Sequence, residues 1–362
     1  MAELVNQYNP DYAIHPGEYL EEVLESRGIK KKDFAERSGL TVKAISQIVQ
    51  GKSLYSPEVA LKFEKTLDVH AEIWIGLVEA YQLFQEREKN RKSLETEKTR
   101  KWVTRFPTAE LRRMGYLPNT KKLPELADGL LRFLGVASPE AWDDFNAMQA
   151  VSYRKSGKFT ESPEATSVWL HLAKKAAEKV NAAPFDKQKF EANLKEIRRL
   201  TIQESGSFFG RMVELCAEAG VKLVVVPELK ETHISGAALW LNQHQAMIAL
   251  SLRYKTNDHF WFTFFHEAAH ILLHGKKSIF LDKRESDNSK EETEANHFAG
   301  EILIPEKQYQ AFVDGGWYDF GAIKGFAREI GVHPGIVVGR LQHDRLLAHK
   351  FQNGLKVQLK LI

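Results

Sequence analysis

A five-residue pattern places the strongest constraint on what the C-terminal part of this chain can form. His266, Glu267 and His270 make an H-E-x-x-H sequence within the apolar segment F-W-F-T-F-F-H-E-A-A-H-I-L-L-H-G, which has the composition and length of a buried helix. Positions i and i+4 of a helix lie one turn apart on one face, so both imidazoles can reach the same metal ion. The glutamate between them projects beside them toward a metal-coordinated water. The pattern predicts two metal ligands and a general base on one helix.

A catalytic zinc site needs a third protein ligand and an open fourth position for water, whose pKa the metal lowers. Three glutamates on a second predicted helix are candidates: Glu291, Glu292 and Glu294. Glu292 is favoured because Asn296 follows four residues later on the same helix face, where its amide can hydrogen-bond a ligand imidazole. The predicted site is one zinc ion per chain, held by His266, His270 and Glu292, with Glu267 as the catalytic base and Asn296 as an outer partner.

Other polar residues near the pattern are expected to play smaller parts. His274 lies one turn beyond His270, too far along the helix to join the ligand pair without strain, so a structural role is favoured. His259 and His297 could help to stabilise an oxyanion, although a structural role is favoured for them too. Glu294 is expected to point away from the metal. The plainest alternative for the whole pattern is a structural histidine pair, which the apolar context and the carboxylate-bearing second helix disfavour.

The resemblance to a known family becomes specific at this point. Residues 266–275, 292–299 and 303–305 resemble the H-E-x-x-H, E-x-x-A-N-x-F-A and L-x-P patterns of the ImmA/IrrE family of metallopeptidases. In that family the first glutamate of the second pattern is the third zinc ligand, which here is Glu292. The resemblance implies a zinc peptidase of a kind that often cleaves a repressor or antitoxin. One departure is Ala268-Ala269, where many relatives have a larger residue followed by glycine.

A small sheet is expected just before the metal-binding helix, which itself is expected to start near Phe260. Residues 221–227 and 245–252 are short β-rich runs on either side of a strand-like stretch at 234–242, and residues 355–362 alternate well enough to form another strand. An edge strand near residues 247–250 is expected to hold an extended substrate. The single cysteine, Cys216, excludes an internal disulfide and is expected to be a buried thiol.

Near the N-terminus, residues 32–48 fit two short helices around a turn at Gly39, which is a helix-turn-helix pattern. Thr41 can cap the second helix. In a major groove, Gln47 could read adenine, and Lys43 could contact guanine or a phosphate. The predicted DNA-contacting residues are Thr41, Lys43, Ser46, Gln47 and Lys52.

Local charge supports this interpretation, although the net charge of the chain is only +3. Between Arg27 and Lys52 there are seven basic residues and two acidic ones. Residues 15–81 as a whole look like the XRE/Cro-type domain of HigA-type antitoxins. That resemblance implies binding to a double-stranded DNA operator, and a helix-turn-helix of this kind usually acts as a dimer on a palindrome. A protein-docking bundle of short helices is the alternative.

These patterns predict a multidomain protein, mainly α with a small β-sheet, in which an all-α helix-turn-helix domain precedes an α+β zincin-like metallopeptidase domain. The predicted divisions of the 362 residues are 1–84 for DNA binding, 85–105 for a charged and solvated connecting helix, 106–205 for a helical region without recognisable chemistry, and 206–362 for the peptidase. No signal peptide or membrane-spanning run is recognised, so a cytoplasmic location is expected.

The combined prediction is a transcriptional regulator with zinc-dependent endopeptidase activity, cleaving a repressor or antitoxin-type protein in a stress or toxin-antitoxin setting. One alternative is a non-catalytic antitoxin or repressor whose zinc domain serves as a sensor or a partner-docking module. A third is a housekeeping peptidase with a vestigial DNA module. The first two differ at Glu267, because a sensor needs the metal but not the base.

Overall fold

The computed structural model describes residues 12–154, 162–203, 207–230, 232–251, 256–275, 280–283 and 289–359. The predicted fold class, mainly helical with a small sheet, is confirmed. One compact unit contains the residues up to Arg100 together with Thr120–Asp128, and the other contains Lys101–Asn119 and the residues from Gly129 onward. The predicted boundaries at residues 84, 105 and 205 stay predictions. None of the described helices combines the length and apolar character needed to cross a membrane.

The N-terminal unit begins with five helices: α1 (Pro16–Ser26), α2 (Lys31–Ser38), α3 (Val42–Val49), α4 (Pro57–Leu67) and α5 (Ala71–Ser93). Each contributes a side chain with no exposed surface to one shared core: Leu20, Phe34, Ile45, Phe63 and Trp74. Helices as short as α2 and α3 are unstable in isolation, so this common core is what holds them in place.

The predicted helix-turn-helix pair is present as α2 and α3. Gly39 ends α2 in the left-handed region, with φ at 68°, which glycine adopts without a steric cost. Thr41 begins α3, and its Oγ1 accepts a hydrogen bond from the amide of Ala44 at 3.1 Å. Helix α1 touches α3 closely at Gly17, where a Cβ atom would lie 2.7 Å from the carbonyl carbon of Ile48. Only glycine fits at this contact.

The segment predicted as a single solvated connecting helix is different in the structure. Helix α5 continues to Ser93, and α6 (Glu97–Thr104) starts after a break at which the Thr96 hydroxyl accepts from the amide of Thr99 at 3.1 Å. Leu94 and Trp102 are only 5% and 3% exposed. The prediction of one solvated helix was wrong because these few apolar residues are buried and a threonine cap interrupts the charged run.

The region without recognisable chemistry is helical, as predicted. Its helices are α7 (Thr108–Arg113), α8 (Leu123–Leu134), α9 (Pro139–Arg154), α10 (Pro163–Glu178) and α11 (Lys187–Arg199), followed by α12 (Phe208–Glu218). Helix α10 begins with Pro163 in its first turn, and the Ser162 hydroxyl accepts from the amide of Ala165 at 3.1 Å. Cys216 on α12 is fully buried, as expected, and burial raises the pKa of its thiol.

The sheet contains β1 (Val221–Val225), β2 (Ile234–Trp240), β3 (Ala246–Leu250) and β4 (Phe280–Lys283), in the order β1-β3-β2-β4. Strand β3 pairs in parallel with β1 and antiparallel with β2, and β2 pairs antiparallel with β4. The helices that follow are α13 (Asn257–Leu273), α14 (Lys290–Leu303), α15 (Glu306–Asp314), α16 (Phe320–Ile330) and α17 (Pro334–His343). Helix α13 packs on β2 and β3, and α14 packs on α13.

Two strand predictions need correction. Residues 247–250 belong to β3, which lies between β1 and β2, so its backbone is paired on both sides and it cannot be the edge strand expected to hold a substrate. Residues 355–359 form no regular strand, and only an isolated bridge joins Gln358 to Thr256. A 3-10 turn at Asn353–Leu355 bends the chain there, and residues 360–362 lie outside the described residues.

Arg198, near the end of α11, fastens the ends of two other helices. Its guanidinium donates to the carbonyl oxygens of Ile302 at 2.6 Å and Leu303 at 3.0 Å, at the end of α14. It also donates to the carbonyl of Ile330 at 2.7 Å, at the end of α16. The last carbonyls of a helix have no partner within the helix and carry partial negative charge, which a cation stabilises. One side chain therefore anchors the helix on which Glu292 lies.

We expect Arg198→Met to lower the free energy of unfolding by about 2–4 kcal/mol, because it leaves partly buried carbonyls without their charged donor. Urea unfolding followed by circular dichroism measures the change. Arg199→Met is the matched control, since Arg199 is the next residue along α11 and is exposed. Equal effects of the two substitutions would contradict the anchoring role.

Candidate metal centre

Helix α13 carries the H-E-x-x-H pattern through the interior of the C-terminal unit. It runs from Asn257 to Leu273, beginning three residues before the predicted start. His266, Glu267 and His270 are 2%, 0% and 1% exposed. Buried ionisable groups are expensive unless hydrogen bonds, partner charges or a metal compensate for the lost hydration. Three such residues within two helical turns therefore point to a specific chemical use.

Helix α14 supplies the carboxylate. Its N-cap is Ser289, whose hydroxyl accepts from the amide of Glu292 at 3.4 Å and whose carbonyl accepts from the Thr293 hydroxyl at 3.0 Å. The cap fixes the first turn of α14, the helix that packs on α13. Glu292 is 7% exposed, whereas Glu291 and Glu294 are exposed. Among the three candidate glutamates, only Glu292 is turned toward the histidine pair.

The three side chains converge on one point. The Nε2 atoms of His266 and His270 are 3.0 Å apart. Oε2 of Glu292 lies 3.1 Å from Nε2 of His266, and Oε1 of Glu292 lies 3.4 Å from Nε2 of His270. Ligand atoms bound tetrahedrally to zinc at about 2.0–2.1 Å are about 3.3 Å from one another. The observed separations match the edges of such a tetrahedron.

Hydrogen bonds on the far side of each imidazole fix where its lone pair points. Nδ1 of His266 lies 3.0 Å from the amide oxygen of Asn296, which can only accept, so Nδ1 carries the proton and Nε2 carries the lone pair. This is the outer contact that the sequence predicted for Asn296. It orients the His266 ring for binding a cation.

A similar chain orients His270. Nε2 of His274 lies 3.2 Å from a carboxylate oxygen of Glu294 and donates to it, which leaves Nδ1 of His274 as an acceptor. Nδ1 of His270, 2.9 Å from that acceptor, is therefore the donor, and Nε2 of His270 carries the lone pair. Glu294 lies outside the convergent group, as expected, and contacts His274, which in turn contacts His270.

The arrangement gathers two imidazole lone pairs and a carboxylate at one buried point. Acceptors this close repel one another, and a cation among them removes the repulsion. Two nitrogens and one oxygen are the donor set of a catalytic zinc site with a fourth position for water. The residues present therefore fit zinc. The match concerns His266, His270 and Glu292, whose ligand atoms lie within 4.8 Å of one another.

The sequence did not reveal the support that His274 and Glu294 give to His270. A usable signal was present, because His274 follows His270 by four residues and therefore lies on the same face of α13. His259 is half-buried and His297 is exposed, and neither belongs to the convergent group found among the described residues. A role for these two in stabilising an oxyanion stays a prediction.

The predicted DNA-contacting residues lie on and just after α3. Thr41, Lys43, Gln47 and Lys52 are exposed, and Ser46 is half-buried. Lys43 and Gln47 are one turn apart and share a face. The opposite face is buried in the core through Ile45, Ile48 and Val49. The helix therefore presents a polar surface that can enter a groove, while Thr41 uses its hydroxyl as the cap.

We expect Asn296→Ala to weaken zinc binding or catalysis about 10–100-fold, the usual cost of losing an outer partner of a ligand histidine. Competition with a chromophoric chelator measures the zinc affinity. Asn296→Asp keeps an acceptor for Nδ1 of His266 and should restore most of the loss. If Asn296→Asp is as impaired as Asn296→Ala, the contact does not act through hydrogen bonding.

Comparison with known proteins matches residues 216–342 to the IrrE N-terminal-like domain, a peptidase family, and residues 20–74 to the helix-turn-helix family. The chain is 38% identical over 71 residues to virulence-associated protein A of Dichelobacter nodosus, covering 19% of this chain and 70% of that protein. It is 24% identical over 89 residues to the uncharacterized HTH-type transcriptional regulator YddM of Escherichia coli, covering 25% of this chain and 90% of that protein.

Among solved structures, the Pseudomonas aeruginosa antitoxin HigA with higBA promoter is 28% identical to this chain, with a TM-score of 0.23. The match covers 24% of this chain and 95% of that one. The two family matches contain the sequence patterns around His266 and Gly39, so pattern and family model agree for both domains. The chain therefore contains an IrrE N-terminal-like domain of the peptidase type at residues 216–342, and a helix-turn-helix domain at residues 20–74 precedes it.

Proposed function

We propose that this protein is a DNA-binding regulator with zinc-dependent endopeptidase activity. The observation that carries the proposal is the convergence of the His266, His270 and Glu292 ligand atoms at tetrahedral spacing, with Glu267 on the same helix. Membership of a peptidase family supports hydrolysis of a peptide bond as the reaction. One zinc ion per chain is proposed, because the described residues of the C-terminal domain contain one such group.

The chain's own residues have distinct parts in the proposed reaction. The two histidines and Glu292 hold the ion, and zinc so held supplies Lewis acidity, which makes water more acidic and a peptide carbonyl more electrophilic. Glu267 takes the proton of the attacking water and then delivers it to the leaving amine. Asn296 and His274 hold the ligand rings in the required tautomer.

The proposed substrate is a regulatory protein of the repressor or antitoxin type. This proposal depends on the fusion itself, because a peptidase tethered to a DNA-binding domain is concentrated near proteins that share its operator. Since an operator is reached only where the chromosome is, the proposed place of action is the cytoplasm. The natural partner to test is the product of the adjacent gene.

The purified full-length protein tests the peptidase proposal directly. Elemental analysis should find one zinc per chain, and incubation with the adjacent gene product should give discrete fragments. A chelator should stop the cleavage, and added zinc should restore it. A preparation that contains no stoichiometric metal and cannot be loaded with it would refute the proposal.

We propose further that α3 reads an operator and that the protein binds as a homodimer to a palindrome. Exposed Lys43 and Gln47 on one face of α3 support this, since they are residue types that contact phosphates and base edges. The basic residues between Arg27 and Lys52 add attraction that does not depend on base sequence.

We expect Lys43→Ala to weaken binding to all DNA sequences similarly and to reduce the slope of log affinity against log salt by about 1. Gln47→Ala should reduce the free energy of operator binding by about 1–3 kcal/mol and weaken the sequence preference at one base pair. Fluorescence anisotropy at several salt concentrations, on the DNA upstream of the gene, measures both. Lys65→Ala on α4 is the control, because Lys65 is also an exposed lysine of the N-terminal unit. No salt-dependent DNA binding by the unsubstituted protein would favour a protein-docking bundle.

A second function has one observation in its favour. The three ligand residues are between 1% and 7% exposed, so little of their surface is open to a substrate. A repressor or antitoxin that uses the metal only to sense or to dock a partner would retain its function without Glu267. The two proposals are separated by substitution at that residue, as set out below.

A further inference from the structure

Gly236 occupies an unexpected place for a glycine, in the middle of the sheet. It lies in β2, paired with Leu250 of β3 on one side and with Asp282 of β4 on the other. Glycine weakens the interior of a strand and there often marks the close approach of another group. The strand faces α13, the helix that carries the H-E-x-x-H pattern.

The group that approaches Gly236 is Glu267. A Cβ atom at position 236 would lie 2.8 Å from Oε1 of Glu267 and 2.9 Å from its Cγ. It would also lie 2.7 Å from the methyl group of Thr263, one turn earlier on α13. Real Cβ atoms essentially never approach other heavy atoms this closely, so any side chain at this position would force Glu267, Thr263 or the strand itself to move.

The backbone does not itself demand glycine. Gly236 is absent from the residues with positive φ, so alanine could adopt its conformation without strain. The requirement for glycine therefore comes from the space that the Glu267 and Thr263 side chains fill. That side chain has no exposed surface, and the strand backbone beneath it limits the rotamers it can adopt.

We propose that Gly236 is the positioning residue for Glu267: the missing Cβ makes the space in which the carboxylate lies, on the same helix as His266 and His270. This inference deepens the proposed function, on which it rests, because it assumes that Glu267 is the proton-transferring group. In this proposal Gly236 acts through Glu267 and takes no direct part in the reaction.

Gly236→Ala in the full-length zinc protein is the first test. We expect kcat to fall about 100-fold, the cost of displacing a catalytic group by about 1 Å, with KM within twofold of wild type and one zinc retained per chain. The acidic limb of the pH profile, which reports the general base, should shift or flatten. Gly325→Ala on α16 is the control, since a Cβ there meets nothing within 4 Å. Unchanged kcat, or loss of zinc together with activity, would overturn the proposal.

Thr263 allows the two close contacts to be separated. Thr263→Ser removes the methyl group and keeps the hydroxyl, so the nearest contacts of the Cβ in Gly236→Ala are then those with Glu267. We expect the Gly236→Ala/Thr263→Ser protein to be as impaired in kcat as Gly236→Ala. Full recovery in the double variant would show that α13 is displaced as a whole through Thr263, and would overturn the proposal.

A stability cycle tests the contact even if the wild type cleaves nothing, so that its failure and the failure of the proposed function are distinguishable. In a Thr263→Ser background, Gly236→Ala should lower Tm by about 3–6 °C through overpacking. When Glu267→Ala is added, the same change should cost less than half as much. Equal costs would overturn the proposal. If Gly236→Ala alone does not fold, the variant combining it with Thr263→Ser and Glu267→Ala must fold for the inference to stand.

Discussion

Replacing Glu267 with glutamine is expected to slow peptide hydrolysis about 10²–10⁴-fold while zinc remains bound. Glutamine has nearly the same shape as glutamate, but its amide cannot accept the proton of the attacking water or pass it to the leaving amine. The proposed ligands His266, His270 and Glu292 are unchanged, so the metal should stay. Initial rates of cleavage under saturating substrate, with elemental analysis of the same sample, measure both quantities.

The control for this prediction is Glu329→Gln on α16, an exposed glutamate of the same domain that should have wild-type activity. Full cleavage by zinc-loaded Glu267→Gln would contradict the assignment of the base. The same variant separates the two proposed functions in cells. A peptidase loses its effect on the target gene, whereas a sensor or docking domain keeps it.

Replacing His270 with alanine is expected to abolish both zinc binding and hydrolysis. The remaining imidazole and carboxylate leave two ligands in place of three, so zinc affinity should fall by about 10³-fold or more, well beyond the loss expected for an outer partner. Without the ion, cleavage should not exceed the background rate. Equilibrium competition with a chelator measures the affinity.

Thermal unfolding gives a second measurement that needs no substrate. Zinc at about 1,000 times its Kd stabilises a folded protein by about 4 kcal/mol, so adding the ion should raise the Tm of the wild type. The Tm of His270→Ala should not respond to micromolar zinc. His343→Ala is the control, because the His343 side chain is 82% exposed, and it should respond as the wild type does. A zinc-dependent rise in His270→Ala equal to that of the wild type would exclude His270 as a ligand.

The sequence was most informative where chemistry depends on local spacing. The grouping of His266, Glu267 and His270 was predictable because they lie within about one helical turn. The turn at Gly39 and the helix cap at Thr41 were predictable because the two residues are only two positions apart. The prediction of Glu292 as the third ligand needed one further assumption, namely that a second helix supplies a carboxylate. In each case the relevant side chains are close in the chain, so helical geometry alone brings them together.

Features that depend on packing between distant segments were not predictable in this way. The central position of β3 depends on strand order, which hydrophobic patterning does not encode, and an edge strand was expected there instead. The space for Glu267 depends on Gly236, 31 positions before it in the printed sequence. A glycine inside a strand indicates that another group packs closely against the strand, but only the tertiary structure identifies that group.

The contact between Gly17 and Ile48 has a consequence for how operators would be discriminated. Because the two helix backbones meet without a side chain between them, α1 and α3 must move as one body. If α3 is already rigid before it binds DNA, it loses little conformational freedom on binding. It then cannot tilt slightly to accommodate a mismatched base. In the proposed complex, a bulkier residue at position 17 would change the angle of α3 in the groove and move every base contact together. The preferred DNA sequence would then change, in addition to the affinity.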